Sequence, residues 1–79
     1  MPKYFLNQLH EDDRIPDPDG AEFPDFLALQ EELAASAREI VADGLRSGRG
    51  PGNSSFEVTD AAGAVVMVFP FRKAIPGFS

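Results

Sequence analysis

Five acidic residues stand close together in the first third of the chain, and they are the side chains best suited to chemistry: Asp12, Asp13, Asp17, Asp19 and Glu22. Hard cations such as calcium bind several oxygen ligands from one tight loop. The EF-hand pattern fails here, because alignment of its central glycine with Gly20 puts Ile15 and Phe26 at ligand positions. We therefore assign no metal ligand, and a weak, irregular divalent-metal site in this acidic turn stays an alternative.

His10 is the only imidazole of the chain. General acid–base catalysis needs a positioned partner and a pocket, whereas the acidic residues after His10 are typical of an exposed turn. We expect a surface histidine at the end of a strand. No motif that activates a hydroxyl surrounds the serines Ser36, Ser47, Ser54 and Ser55. We therefore predict no catalytic residue and a protein that is not an enzyme.

Two further sequence patterns, a glycine-rich segment and a set of basic residues, could bind anionic ligands such as phosphate or nucleic acid. The glycine-rich segment 48–52 exposes backbone N–H groups that suit a phosphate, but no Walker lysine and serine follow it and the next predicted element is a strand. The basic residues that could meet nucleic acid are Arg38, Arg46, Arg49, Arg72 and Lys73. A net charge of −6 opposes such binding. We expect no cofactor, and nucleic acid is an unfavoured partner.

The middle of the chain predicts one amphipathic helix, which begins after an N-cap at Asp25. Its apolar side chains fall within one arc of about 160°, which we expect to be buried. They are Phe26, Leu27, Leu29, Leu33, Ala34, Ala37, Ile40, Val41 and Leu45. Gly44 lies in the same arc, which indicates either a close approach to the sheet or an early helix end.

Four strands are predicted around this helix. Lys3 to His10 and Asp13 to Pro16 form a first pair, and Ser55 to Asp60 and Ala64 to Phe71 form a hairpin. The last strand is apolar on both faces, with Val66 and Val68 on one and Val65, Met67, Phe69 and Phe71 on the other. A strand that is apolar on both faces is typical of the centre of a sheet, so we place it there.

A single helix covers one face of such a sheet, and the second face needs a different cover. The simplest cover is the same surface of a second chain, and the alternative is the tail 72–79 with Ile75 and Phe78. A chain of 79 residues without cysteine gains added stability most simply by oligomerisation. We expect a dimer whose interface contains Val65, Met67, Phe69 and Phe71.

Three motifs resemble a family of short bacterial proteins of unknown function. They are residues 1–5 (M-P-[RK]-Y-[FY]), residues 17–25 (D-x-x-G-x-E-x-P-D) and residues 56–63 (F-x-V-x-D-x-x-G), in this order. The resemblance implies a ββαββ fold and no known activity or site. The acidic turn, proline and alanine-rich helix are also loosely similar to the small α/β domain of HicB-type antitoxins.

Together these patterns predict an α+β domain of ββαββ order: a four-stranded, mostly antiparallel sheet with one helix packed on one face. We expect one domain over 1–79, with the first strand pair at 1–16, the helix at 24–47, the hairpin at 55–71 and a loose tail at 72–79. No apolar leader or membrane-length run is visible, so we expect a cytoplasmic protein without a membrane partner.

The predicted function is a non-enzymatic protein-interaction module that self-associates through the open sheet face. The alternative is an antitoxin-like acidic inhibitor that docks on a basic partner. It follows from the charge of residues 1–32, which is −7 against +1 for residues 33–79. Its acidic partner surface would comprise Asp12, Asp13, Asp17, Asp19 and Glu22.

Overall fold

An antiparallel sheet carries one long helix in the computed structural model, which describes residues 1–50 and 52–75. The strands are β1 (Lys3–His10), β2 (Asp13–Ile15), β3 (Ala21–Glu22), β4 (Ser55–Asp60) and β5 (Val65–Pro70). Helix α1 (Phe26–Arg46) separates β3 from β4, and a 3-10 helix (Phe71–Ala74) follows β5. The predicted α+β class is confirmed, but the sheet has five strands because the two-residue β3 adds one before the helix.

The strand order is β2-β1-β4-β5, and β3 pairs with the same edge of β1 as β2 does. The predicted central position of the last strand is therefore wrong, because β5 lies at the edge and β1 and β4 form the centre. The hydrophobicity of β5 does not reflect burial on both faces. All three of its valines are about half exposed, namely Val65, Val66 and Val68.

The core lies between α1 and one face of the sheet. The helix buries Leu29, Leu33, Ala37 and Val41, whose spacing of four residues keeps them on one side. Against them lie the buried β4 residues Phe56 and Val58, together with Phe71 and Ala74 of the 3-10 helix. Burial of each large apolar side chain contributes about 2 kcal/mol. Phe26, Leu27 and Leu45, which we expected in this core, are exposed because they occupy the first and last turns of α1.

Both ends of α1 have caps that the local sequence explains. Asp25 is extended, and its carboxylate accepts from the Ala28 N–H at 2.8 Å, as predicted. At the other end Gly48 has a φ of +81°, and its N–H donates to the Leu45 carbonyl. The Arg49 N–H donates to the Gly44 carbonyl at 2.7 Å, which completes a Schellman ending.

Gly44 belongs to this ending rather than to a contact with the sheet. A Cβ there would lie 3.3 Å from the Arg49 carbonyl oxygen. The helix continues past Gly44 to Arg46, so Gly44 marks neither an early helix end nor a close approach to the sheet; it lies in the last turn and faces Arg49.

The segment that we predicted as a loose tail begins as part of the core. Phe71, which we predicted as the end of the last strand, instead begins the 3-10 helix, and its N–H donates to the Ser54 carbonyl at 3.0 Å. Within the predicted tail, Ala74 is buried. Ile75 packs against the core on the helix side, so it does not cover the second sheet face as we had considered. Phe78 lies outside the described residues. Within the described ranges, no helix is long and apolar enough to cross a membrane.

Candidate functional site

The four residues predicted for the interface do not share one surface. Val65 is 55% exposed, Met67 and Phe69 are half-buried against the core, and Phe71 is buried within it. The reason is a bulge in β5: Met67 pairs with Val58 and Val65 pairs with Thr59, so Val66 has no partner in β4. The extra residue breaks the simple alternation and moves Val65 to the face that carries Val68.

The apolar surface of β5 therefore consists of a different set of side chains, which we call the valine edge: Val65, Val66 and Val68. The strand contains no charged residue. In the part of the chain that the structure describes, its outer side pairs with no strand. Such an edge presents free backbone N–H and C=O groups beside apolar side chains, which is a template for another strand.

The centre of the open sheet face is polar, contrary to the apolar face that we expected. Asn7 is 3% exposed, and its amide donates to the Glu57 carbonyl at 3.0 Å and to the Thr59 hydroxyl at 3.2 Å. Beside it Arg14 of β2 forms an ion pair with Glu57 at 3.3 Å. The exposed valines Val65 and Val68 stand at the margin of this face, on the edge strand β5.

The five predicted acidic residues lie along one sheet edge rather than in one cluster. Asp13 pairs with His10 at one end of β1, and Glu22 pairs with Lys3 at the other. Seven residue steps separate those positions on β1, a distance of about 23 Å along a strand. Asp12 and Asp19 are exposed in the turns beside them.

Asp17 is the exception, because it fills the gap between β2 and β3. One carboxylate oxygen accepts from the Leu6 N–H at 3.1 Å, and the other accepts from the N–H groups of Asp19 and Gly20. Its own N–H donates to the Asn7 side chain at 3.0 Å. Asp17 thus replaces the missing strand partner at the middle of β1.

These contacts also determine the charge state of Asp17. Burial raises the pKa of the carboxyl, but its three N–H donors and the charge of Lys3 lower it by more, so the pKa lies below its ordinary value of 3.8. The carboxylate is therefore ionised at neutral pH with both oxygens occupied by backbone donors. Within residues 1–50 and 52–75, no three His, Cys, Asp or Glu side chains are grouped to hold a metal ion.

His10 has two positioned partners, which the sequence did not indicate. Its Nδ1 lies 2.8 Å from the Ser54 Oγ, and its Nε2 lies 2.9 Å from the Gln8 Oε1. Because the glutamine oxygen only accepts, Nε2 carries a proton, and in the neutral ring Nδ1 accepts from the Ser54 hydroxyl. The ring also meets Phe71 edge-on at 6.0 Å.

This cluster borders a cavity of about 420 Å³ that Val41 and Arg49 also line. Both ring nitrogens are engaged, so His10 joins β1 to the segment before β4. The contact spans 44 residues of sequence, and no local motif could have revealed it.

A second cavity, of about 500 Å³, forms an open groove between α1 and β1. Its floor is apolar and consists of Leu6, Phe23, Ile40 and Phe56. Its rim carries the carboxylates of Asp17, Glu32 and Glu39, together with the neutral polar side chains of Gln8 and Ser36. We call this cavity the acidic groove; it includes only Asp17 of the five acidic residues predicted as a partner surface.

The comparisons with known proteins place the chain in a family without assigning an activity. No curated protein matches it, and no solved structure does. The model of a domain of unknown function, DUF6894, matches residues 3–72. Since this match spans most of the chain, the protein belongs to the DUF6894 family.

Proposed function

We propose that this domain is a protein-interaction module that self-associates through the outer side of β5. The valine edge carries the proposal: three valines, each 47–55% exposed, lie on an uncharged edge strand. The open sheet face, where we first expected the contact, has the polar centre formed by Asn7 and Glu57. The edge is therefore the better surface for a second copy.

Physical chemistry favours pairing of two β5 strands around a two-fold axis. Edge strands that stay monomeric usually carry charges, prolines or bulges; β5 has no charge, a single bulge at Val66 and Pro70 only at its end. Cross-strand pairs of β-branched side chains contribute roughly 0.2–1 kcal/mol each. Antiparallel pairing would also occupy the free backbone groups of both strands and extend the sheet across the dimer.

The test is the mass in solution, measured by light scattering and sedimentation from low micromolar to millimolar concentration. We expect a dimer, and we expect Val68→Lys to shift it to monomer because a lysine would place two like charges across the paired edges. The control is Leu27→Lys, which changes a side chain of similar exposure in the first turn of α1. A wild-type protein that stays monomeric throughout contradicts the proposal, as does equal dissociation of both variants.

A further inference from the structure

The acidic groove combines an apolar floor with an acidic rim. Its floor is made of the apolar side chains Leu6, Phe23, Ile40 and Phe56, and none of the residues that line it is basic. The positive charge of Lys3 lowers the pKa of Asp17. The Lys3 ammonium itself lies 5.6 Å from the centre of the Phe5 ring, on the side of β1 opposite the groove. The rim thus presents Glu32 and Glu39 without a basic side chain among the residues that line it.

The geometry of the rim follows from the helix. Glu32, Ser36 and Glu39 lie on one side of α1, and the two carboxylates are seven residues apart, which is about 10 Å along a helix. Ser36 donates to Glu32 at 2.7 Å, which holds that carboxylate on the helix surface. Asp17 stands across the groove on the β1 side, where its backbone contacts keep it ionised.

We propose that the acidic groove binds a basic, partly apolar peptide segment of a partner protein. Arginine and lysine suit it because their aliphatic stems cover apolar surface while their charged heads reach a carboxylate. The separation of the helix carboxylates is too large for one metal ion, which requires oxygens within about 2.6 Å of it. The acidic rim repels phosphate, so nucleic acid is excluded as the occupant.

This binding would be separate from self-association, because the groove lies on the helix side and the valine edge on the sheet margin. The net charge of −6 would assist encounter with a basic partner. This net charge would not by itself direct the partner to the groove rather than to another acidic surface. The apolar floor supplies that selection, and the experiment must separate the two contributions.

The probe is a capped hexapeptide in which arginine alternates with leucine, titrated into the full chain and followed by fluorescence anisotropy and amide NMR shifts. The groove variant combines Glu32→Gln and Glu39→Gln. The control variant combines Glu31→Gln and Asp43→Asn, which changes the net charge equally on the same helix but outside the groove. A second peptide, with glycine in place of leucine, tests whether contact with the apolar floor contributes to binding.

We expect the groove variant to bind the arginine–leucine peptide about fivefold more weakly than the wild type, and the control variant to change less than about twofold. The shifts should concentrate at groove residues, and the glycine peptide should bind more weakly. Ser36→Phe, which fills the groove from an accessible position, should also weaken binding while thermal unfolding shows an intact fold. Equal weakening by groove and control variants, equal binding of both peptides, or no binding to the wild type would overturn the proposal.

Discussion

The two edges of the sheet are completed in different ways. At one edge, β2 and β3 both pair with β1, and Asp17 closes the gap between them by accepting from the Leu6 N–H. At the other edge, β5 presents exposed valines and no charge. An edge whose middle is occupied by a side chain and flanked by acids resists another strand, whereas the β5 edge carries no charge and is interrupted only by the bulge at Val66 and by Pro70 at its end. The contrast teaches that hydrophobicity alone does not locate the centre of a sheet.

The largest effect should come from the residue that anchors the protected edge. We expect Asn7→Ala to lower the free energy of unfolding by about 3 kcal/mol, because it leaves the Asp17 N–H and the Glu57 carbonyl without their partner. Urea unfolding followed by circular dichroism measures this loss. Asn53→Ala, at an exposed position, is the control, and equal losses would show that the amide network contributes little.

The second-largest loss of stability is expected at two glycines, one beside each edge of the sheet. Gly20 has a φ of +69°, and a Cβ there would lie 2.9 Å from the Phe5 ring. Gly63, in the β4–β5 turn, has a φ of +87° and open space around it. We expect Gly20→Ala to cost about 2 kcal/mol and Gly63→Ala about 1 kcal/mol, since both lose the favourable backbone conformation but only the first adds a clash. Thermal unfolding of both variants tests the difference, and a larger cost at Gly63 contradicts this account.

Asp17 offers a test that depends on pH. We expect Asp17→Asn to cost about 1 kcal/mol at neutral pH, a modest figure because the group is partly exposed. Since the folded pKa lies below 3.8, the carboxylate stabilises the fold fully above that value and loses this effect as the pH falls through the folded pKa. Wild type and variant should therefore converge in stability in acid.

Urea unfolding from neutral to strongly acidic pH measures this convergence. Asp19→Asn, an exposed carboxyl in the same turn, is the control and should follow the wild type throughout. A difference between wild type and Asp17→Asn that does not depend on pH would show that the ionised form is unimportant.

The smallest change in the free energy of unfolding is expected at the β5 edge. Val68→Thr keeps a β-branched side chain at a position that is 54% exposed, so the monomer should change by less than about 0.5 kcal/mol. Unfolding at a dilution that keeps the wild type monomeric measures this. A loss above that level would mean that Val68 supports the fold itself, and the comparison of the two edges would then fail.

The local elements could be predicted from the sequence because local chemistry determines them. The bounds Lys3–His10 and Ser55–Asp60 are confirmed, as is the Asp25 cap of α1. The two-residue β3 could not be predicted, since it has no periodicity of its own. The bulge at Val66 could not be predicted from the sequence pattern either, and it changes the face on which Val65 lies.

The candidate sites depend on contacts between distant residues, which the sequence does not indicate. The acidic residues indicated a partner surface, but Asp17 is engaged with β1 and the groove also uses Glu32 and Glu39 of α1. The polar Asn7 gave no sign that its strand is central, because the hydrogen bonds that permit its burial come from β4. An alternation of apolar and polar residues cannot reveal partners that the fold supplies.

The pairing of β1 with β4 has a consequence for the kinetics of folding. The β1–β2 and β4–β5 hairpins join neighbouring segments, but Asn7 and Glu57 at the centre of the sheet are 50 residues apart. Closing so long a loop costs entropy before the core contacts that offset this cost have formed, which slows folding relative to helical domains of this size. Each hairpin alone is marginal in water, so we expect both to become stable only in the step that joins them, with the Asn7 amide fixing the register at that moment.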